Sequence, residues 1–145
     1  MDANGWAAVS GIAESLSALF VLFGFWFVVR QLRSSSVEHL YCRMHDIHRM
    51  FIEHPELRTY FYENTALPSN DPELVVRIHA AAELLADFFQ QVFLELDLLP
   101  KNAALGWRLY MTDVLDRSQV LQSYVNRHRS WYPSNFVGQL LFPHS

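Results

Sequence analysis

The sequence predicts an all-α protein: one N-terminal transmembrane helix followed by a small cytoplasmic helical bundle. Three observations carry that expectation. Residues 6–29, WAAVSGIAESLSALFVLFGFWFVV, form an apolar run of 24 residues broken by one charge, Glu14. Downstream, apolar residues recur at steps of three and four between proline and serine punctuation, which is the helical period. No segment alternates apolar and polar residues as a half-buried strand would. On this reading residues 1–33 are the span with its flanks and residues 34–145 are the bundle.

The span comes first. A hydrocarbon core about 30 Å thick takes about 20 helical residues to cross. Trp6 and Trp26 stand near the two ends of the run, where amphipathic rings favour the interface. A cleaved signal peptide has another layout, with a basic start, a shorter apolar core and a small-residue cleavage site. Here the only charged side chain before the run is Asp2, whereas Arg30 and Arg33 follow it. The positive-inside rule therefore predicts the N-terminus outside and the bundle in the cytoplasm, most simply at a bacterial inner (cell) membrane. Cys42 is the only cysteine, so no intramolecular disulfide can form, which suits a reducing compartment.

The bundle follows element by element. Ser35 and Glu38 stand at capping-box spacing, so after residues 34–36 either a new helix starts or the membrane helix continues through a weak point. Val37, Leu40, Tyr41, Met44, Ile47 and Phe51 then make one apolar stripe. Pro55 ends that helix, because the residue before a proline is pushed out of the α region, and opens a short helix to residue 63. Residues 67–70 read as a loop. Asp71, Pro72 and Glu73 make a strong helix start: an N-cap oxygen, a proline at the first position and an acid for the dipole. The segment from there to about residue 98 is apolar on most of its circumference and is expected to be the central core helix. Pro100 closes it, and further helices are expected at residues 103–115 and 118–127. Residues 131–133 form a turn, and residues 136–142 a last short helix.

Composition narrows the function. The formal charge is −4, and setting aside Asp2 and Glu14 leaves the remainder at −2. No broad basic footprint supports binding of duplex DNA. About 115 residues suffice for one small core. His45 and His48 share a helical face with Asp46, His39 and Glu53 close by in sequence. Zinc requires three or four ligands in defined geometry, and no second ligand pair follows, so no metal or cofactor is expected. With no phosphate-cradling glycine loop and no motif around Cys42, no enzyme is expected either.

Two clusters remain. Ser10, Glu14 and Ser17 fall on one side of the span, opposite Leu16, Phe20, Phe23 and Phe27. Glu14 lies about 12 Å below Trp6, at a depth where an ionised side chain needs a partner or water. Several copies of the chain would turn this face inward, making a ring of carboxylates, an element of cation pores. The plainer alternative is a helix-packing face with Glu14 protonated or reaching outward. Arg127, Arg129, Trp131 and Tyr132 combine phosphate-pairing guanidiniums with stacking rings, the ingredients of a nucleotide or oligonucleotide site. The alternative there is a helix end followed by aromatics locked into the core.

The stretches HPELRTYFYEN (residues 54–64) and SYVNRHRSWYP (residues 123–133), behind one N-terminal span, resemble a family of small bacterial membrane proteins of unknown function. In architecture the chain is also similar to the membrane effectors of antiphage defence systems. The expectation is a homo-oligomer whose cytoplasmic bundle gates a narrow pore near Glu14. The alternative is a membrane-tethered interaction module without a pore.

Overall fold

The computed structural model describes the backbone of residues 3–141 and the side chains of residue 17 and of residues 19–31 and 37–138. Every regular element among the described residues is helical. The chain divides into two compact units, Met1–Val37 and Glu38–Ser145.

The first helix, α1, runs Ala3–Glu53, so the serines at 34–36 do not end it. The physical reason is that residues 25–54 contain neither glycine nor proline. Serine in a helix interior lowers stability by only a few tenths of a kcal/mol, too little to stop a helix flanked by good formers. In the first unit the described side chains of residues 19–28 are exposed. Among the described residues no helix is long and apolar enough to cross a membrane. Much of the apolar run, Ser10 and Glu14 included, lies outside the described side chains.

The second unit holds the end of α1 and five further helices: α2 Pro55–Tyr62, α3 Pro72–Glu95, α4 Lys101–Asp116, α5 Gln119–Arg127 and α6 Ser134–Leu141. Short 3-10 turns at Leu96–Leu98 and Arg129–Trp131 follow α3 and α5. The prolines act as expected. His54 lies outside the helical region at φ −129 and ψ 69, as the clash with the following proline ring requires, and Pro55 opens α2. Asp71 Oδ1 accepts the Leu74 N–H at 2.9 Å and Pro72 opens α3. The fourth helix starts at Lys101, directly after Pro100 and two residues before the predicted Ala103, because a proline is tolerated at a helix entrance.

Ser118 does two things. Its hydroxyl accepts the Leu121 N–H at 3.1 Å as the cap of α5 and donates to the Tyr60 carbonyl at 2.9 Å. Ser118 is fully buried, so this pair of bonds satisfies its hydroxyl and fastens the start of α5 to α2. Nearby, Asn64 adopts a left-handed backbone at φ 54, and its Oδ1 accepts the Gln119 N–H at 3.3 Å. Asparagine bears that conformation better than most residues, because its short amide can bond locally.

The core is built around α3, which contacts α2, α4 and α5. Ile78, Ala82, Leu85, Phe89 and Val92 line its buried side. Leu40, Ile47 and Phe51 come from α1, Met111 and Val114 from α4, Leu121 from α5 and Phe136 from α6. Each of these side chains larger than alanine contributes about 1.5–3 kcal/mol by leaving water. Aromatic edges join the layers: Phe89 meets Tyr110 at 5.8 Å and Phe93 meets Phe136 at 5.4 Å. The predicted α1 stripe is narrower than expected, since Tyr41 is 58 % exposed and only leans its ring on Trp107 at 5.6 Å.

Candidate functional site

The first candidate surface is the described part of the apolar run. Leu19, Phe20, Val21, Leu22, Phe23, Phe25, Trp26, Phe27 and Val28 are each more than half exposed, from 51 % to 74 %. Successive residues turn by about 100°, so this segment shows apolar side chains on every side of the helix. A helix apolar all round is stable only where something other than water covers it. Trp26 packs on Phe23 at 5.8 Å and takes the Arg30 guanidinium over its ring at 5.5 Å from the centre. A cation thus stands on an amphipathic ring where the apolar run ends. Of the predicted pore face, Ser17 is exposed, while the side chains of Ser10 and Glu14 lie outside the described residues.

The second surface is the end of α5. Arg127 occupies the last turn, where a cation complements the helix dipole. The His128 ring packs, tilted, against Tyr124 at 4.6 Å and against Trp131 at 4.1 Å. Trp131 is 61 % exposed, and Arg127 and Arg129 are exposed beside it in sequence. Tyr132 is not part of that surface. It is buried, its ring packs on Phe136 at 5.6 Å, and its hydroxyl donates to Asp87 Oδ1 at 3.2 Å. Of the residues predicted to hold a phosphate-bearing ligand, Arg127, Arg129 and Trp131 face solvent and Tyr132 faces the core.

Tyr132 and Tyr124 form a pair of buried phenols beside acids. Burial, followed by the charge of Asp87, pushes the Tyr132 hydroxyl above the ordinary tyrosine range. Tyr124 is raised for the same reason, burial first and then the charges of Glu83 and Asp87. Its hydroxyl is buried, close to Tyr132 and Glu83 without completing a well-aligned bond to either. Both phenols are therefore neutral O–H donors near physiological pH.

Sequence reading missed a groove of about 190 Å³ in the second unit, lined by Arg43, Asp46 and Ile47 of α1 and by Leu84, Asp87 and Phe88 of α3. Each half is visible in the sequence as a three- or four-residue step, but nothing local says that the two halves face each other. The histidines go elsewhere: His45 and His48 are exposed, and His39 Nδ1 lies 3.3 Å from Gln91 Nε2. Among the described residues no group of three or more His, Cys, Asp or Glu gathers as a metal would require.

A further tyrosine pair gives a pH prediction. The Tyr62 and Tyr110 hydroxyls bond at 2.7 Å, and burial, then this bond, raises Tyr110 well above its ordinary value. A raised phenol favours the neutral folded form, so its contribution is complete below the unfolded value of about 10 and is lost as pH climbs beyond it. Urea midpoints should hold steady from pH 7 to about 9 and fall above about 10. Tyr110→Phe should shrink that alkaline fall, leaving the share of Tyr124 and Tyr132, which are raised as well; an unchanged fall would exclude Tyr110 as a source.

No protein-family model, curated protein or solved structure matches the chain.

Proposed function

We propose that residues 6–29 insert in a membrane as one helix, and that the chain assembles with copies of itself around a narrow pore lined by Ser10, Glu14 and Ser17. The helical bundle gates the pore from the cytoplasm. A short span with a compact helical cytosolic domain is also the architecture of antiphage membrane effectors, and on this reading the protein works in a bacterial inner (cell) membrane. The observation that supports insertion is the exposure of residues 19–28 on every side of α1, with Arg30 held on Trp26 at the end of the run. Each such side chain gains about 1.5–3 kcal/mol on leaving water, and hydrocarbon is a cover that reaches all sides at once. Oligomerisation follows from Glu14. A charged side chain at the bilayer centre costs about 2.5–3.5 kcal/mol on insertion scales, and a water-filled lumen shared by several copies relieves that cost. A phosphate-bearing trigger, a nucleotide or oligonucleotide, would meet the bundle at Arg127, Arg129 and Trp131. Binding preferentially in one gating state, it would shift the open and closed populations by its differential affinity.

The test is Glu14→Gln in reconstituted liposomes, with the mass of the detergent-solubilised complex measured in parallel. Ion flux should change while the mass stays that of an oligomer. A parent protein that is monomeric, or that conducts nothing, removes the pore. What would then stand is a membrane-tethered interaction module. Leu105 and Leu109, four residues apart on α4 and 58 % and 63 % exposed, favour that second reading as an apolar stripe for a protein partner.

A further inference from the structure

The groove between α1 and α3 combines groups that nothing above uses. Ile47 and Phe88 are buried and give it an apolar floor, Leu84 stands half exposed at its edge, and Arg43, Asp46 and Asp87 supply charge. No ion pair joins those charges. Among the described residues, the pairs within 4.0 Å are His54 with Glu56, Arg77 with Glu73, and Arg117 with Asp113. A guanidinium with its planar fork of donors and two carboxylates with open acceptor positions therefore share one hollow.

One of those carboxylates is held from behind. Tyr132, buried, donates to Asp87 Oδ1 at 3.2 Å. Tyr124 is 6 % exposed, and its hydroxyl lies close to the Tyr132 hydroxyl and the Glu83 carboxylate behind that bond. A carboxylate fixed by a buried phenol keeps a defined orientation. It is a better anchor than a freely rotating surface aspartate, because less freedom is lost when a ligand arrives.

We infer that this groove binds a small soluble zwitterion of the α-amino-acid class, with its ammonium on Asp46 and Asp87, its carboxylate on Arg43 and its apolar side chain on Leu84 and Phe88. Charge selects this class. The charged lining sums to −1, so a simple anion meets two carboxylates and a simple amine meets Arg43, whereas a neutral zwitterion satisfies both ends. A phosphate dianion adds a charge that the single guanidinium leaves uncompensated. Guanidinium and carboxylate also match as planar, bidentate partners. Size agrees: a groove of about 190 Å³ has room for a leucine-sized molecule.

The experiment is calorimetric titration of the full chain in detergent micelles with L-leucine, with isopentylamine and with isovalerate. The last two carry the same apolar stem with only one of the two charges. Leucine should bind about tenfold or more tightly than either single-charge probe, the difference expected when both ends are paired. Arg43→Gln should erase the advantage over the amine, and Asp46→Asn combined with Asp87→Asn the advantage over the acid. Tyr132→Phe should weaken leucine several-fold without changing the order of the three probes. These charged positions are exposed, and circular dichroism melts verify that each variant folds. Should a variant fail to fold, the order of the three probes on the parent protein decides alone. No leucine binding at about 10 mM, equal affinity for leucine and isopentylamine, or leucine binding unchanged by Arg43→Gln would each overturn the assignment.

Discussion

Leu19→Arg combined with Phe20→Arg is expected to remove the protein from the membrane fraction. Leu19 is 62 % and Phe20 74 % exposed, so neither substitution opens a hole in a packed core. What changes is transfer into hydrocarbon. An arginine near the middle of a span costs about 2.5–3.5 kcal/mol on insertion scales, where leucine and phenylalanine are slightly favourable. Two replacements sum to about 6 kcal/mol, or about four orders of magnitude in the partition between membrane and water. Carbonate extraction of cell membranes followed by sedimentation measures the shift. The thermal melt of the bundle should stay unchanged, since its core residues lie from Leu40 onward. Continued resistance of the double variant to carbonate would mean that the apolar helix is covered by protein rather than lipid, and the insertion proposal would fall with it.

Phe89→Ala should cause the largest loss of stability in the bundle. Phe89 is 1 % exposed, with its ring against Phe88 at 6.0 Å and edge-on to Tyr110 at 5.8 Å. Truncating a buried phenylalanine removes its transfer energy and leaves a cavity that the neighbours only partly fill, a combined cost of about 3–5 kcal/mol. Against a whole-domain stability of about 5–15 kcal/mol that is a large fraction. Urea unfolding should show the midpoint falling steeply at unchanged slope. Leu94→Ala, on the same helix but 61 % exposed, supplies the contrast and should shift stability by less than about 0.5 kcal/mol. Comparable effects at the two positions would show that α3 is not packed by the face described here.

The elements that could be read in advance share a physical basis. Pro55, Asp71 with Pro72, and Ser118 act on backbone groups within four residues of themselves, so the starts of α2, α3 and α5 follow from local rules alone. The same short range explains why residues 34–36 were open to two readings. Capping-box spacing permits a helix start, but nothing there forbids continuation, and α1 continues.

The candidate sites divide along the same line. The all-round apolar character of residues 19–28 is a property of consecutive side chains and needs no fold to be recognised. Tyr132 could not be placed from its neighbours. Beside Arg129 and Trp131 it reads as a stacking ring, yet its hydroxyl reaches Asp87, 45 positions earlier in the chain, and that bond carries it into the core. Ser118 shows both at once: its cap on Leu121 is local, while its bond to Tyr60 spans 58 positions.

By itself, then, the sequence determined the helical class, the helix starts and the apolar stretch, because period, capping and hydropathy are set by residues within a turn or two of one another. Only the tertiary structure decided that Tyr132 faces inward and that Arg43 and Asp46 share a groove with Asp87. Those placements depend on how two helices pack, and packing is chosen by the summed burial of a whole core rather than by any short stretch of chain.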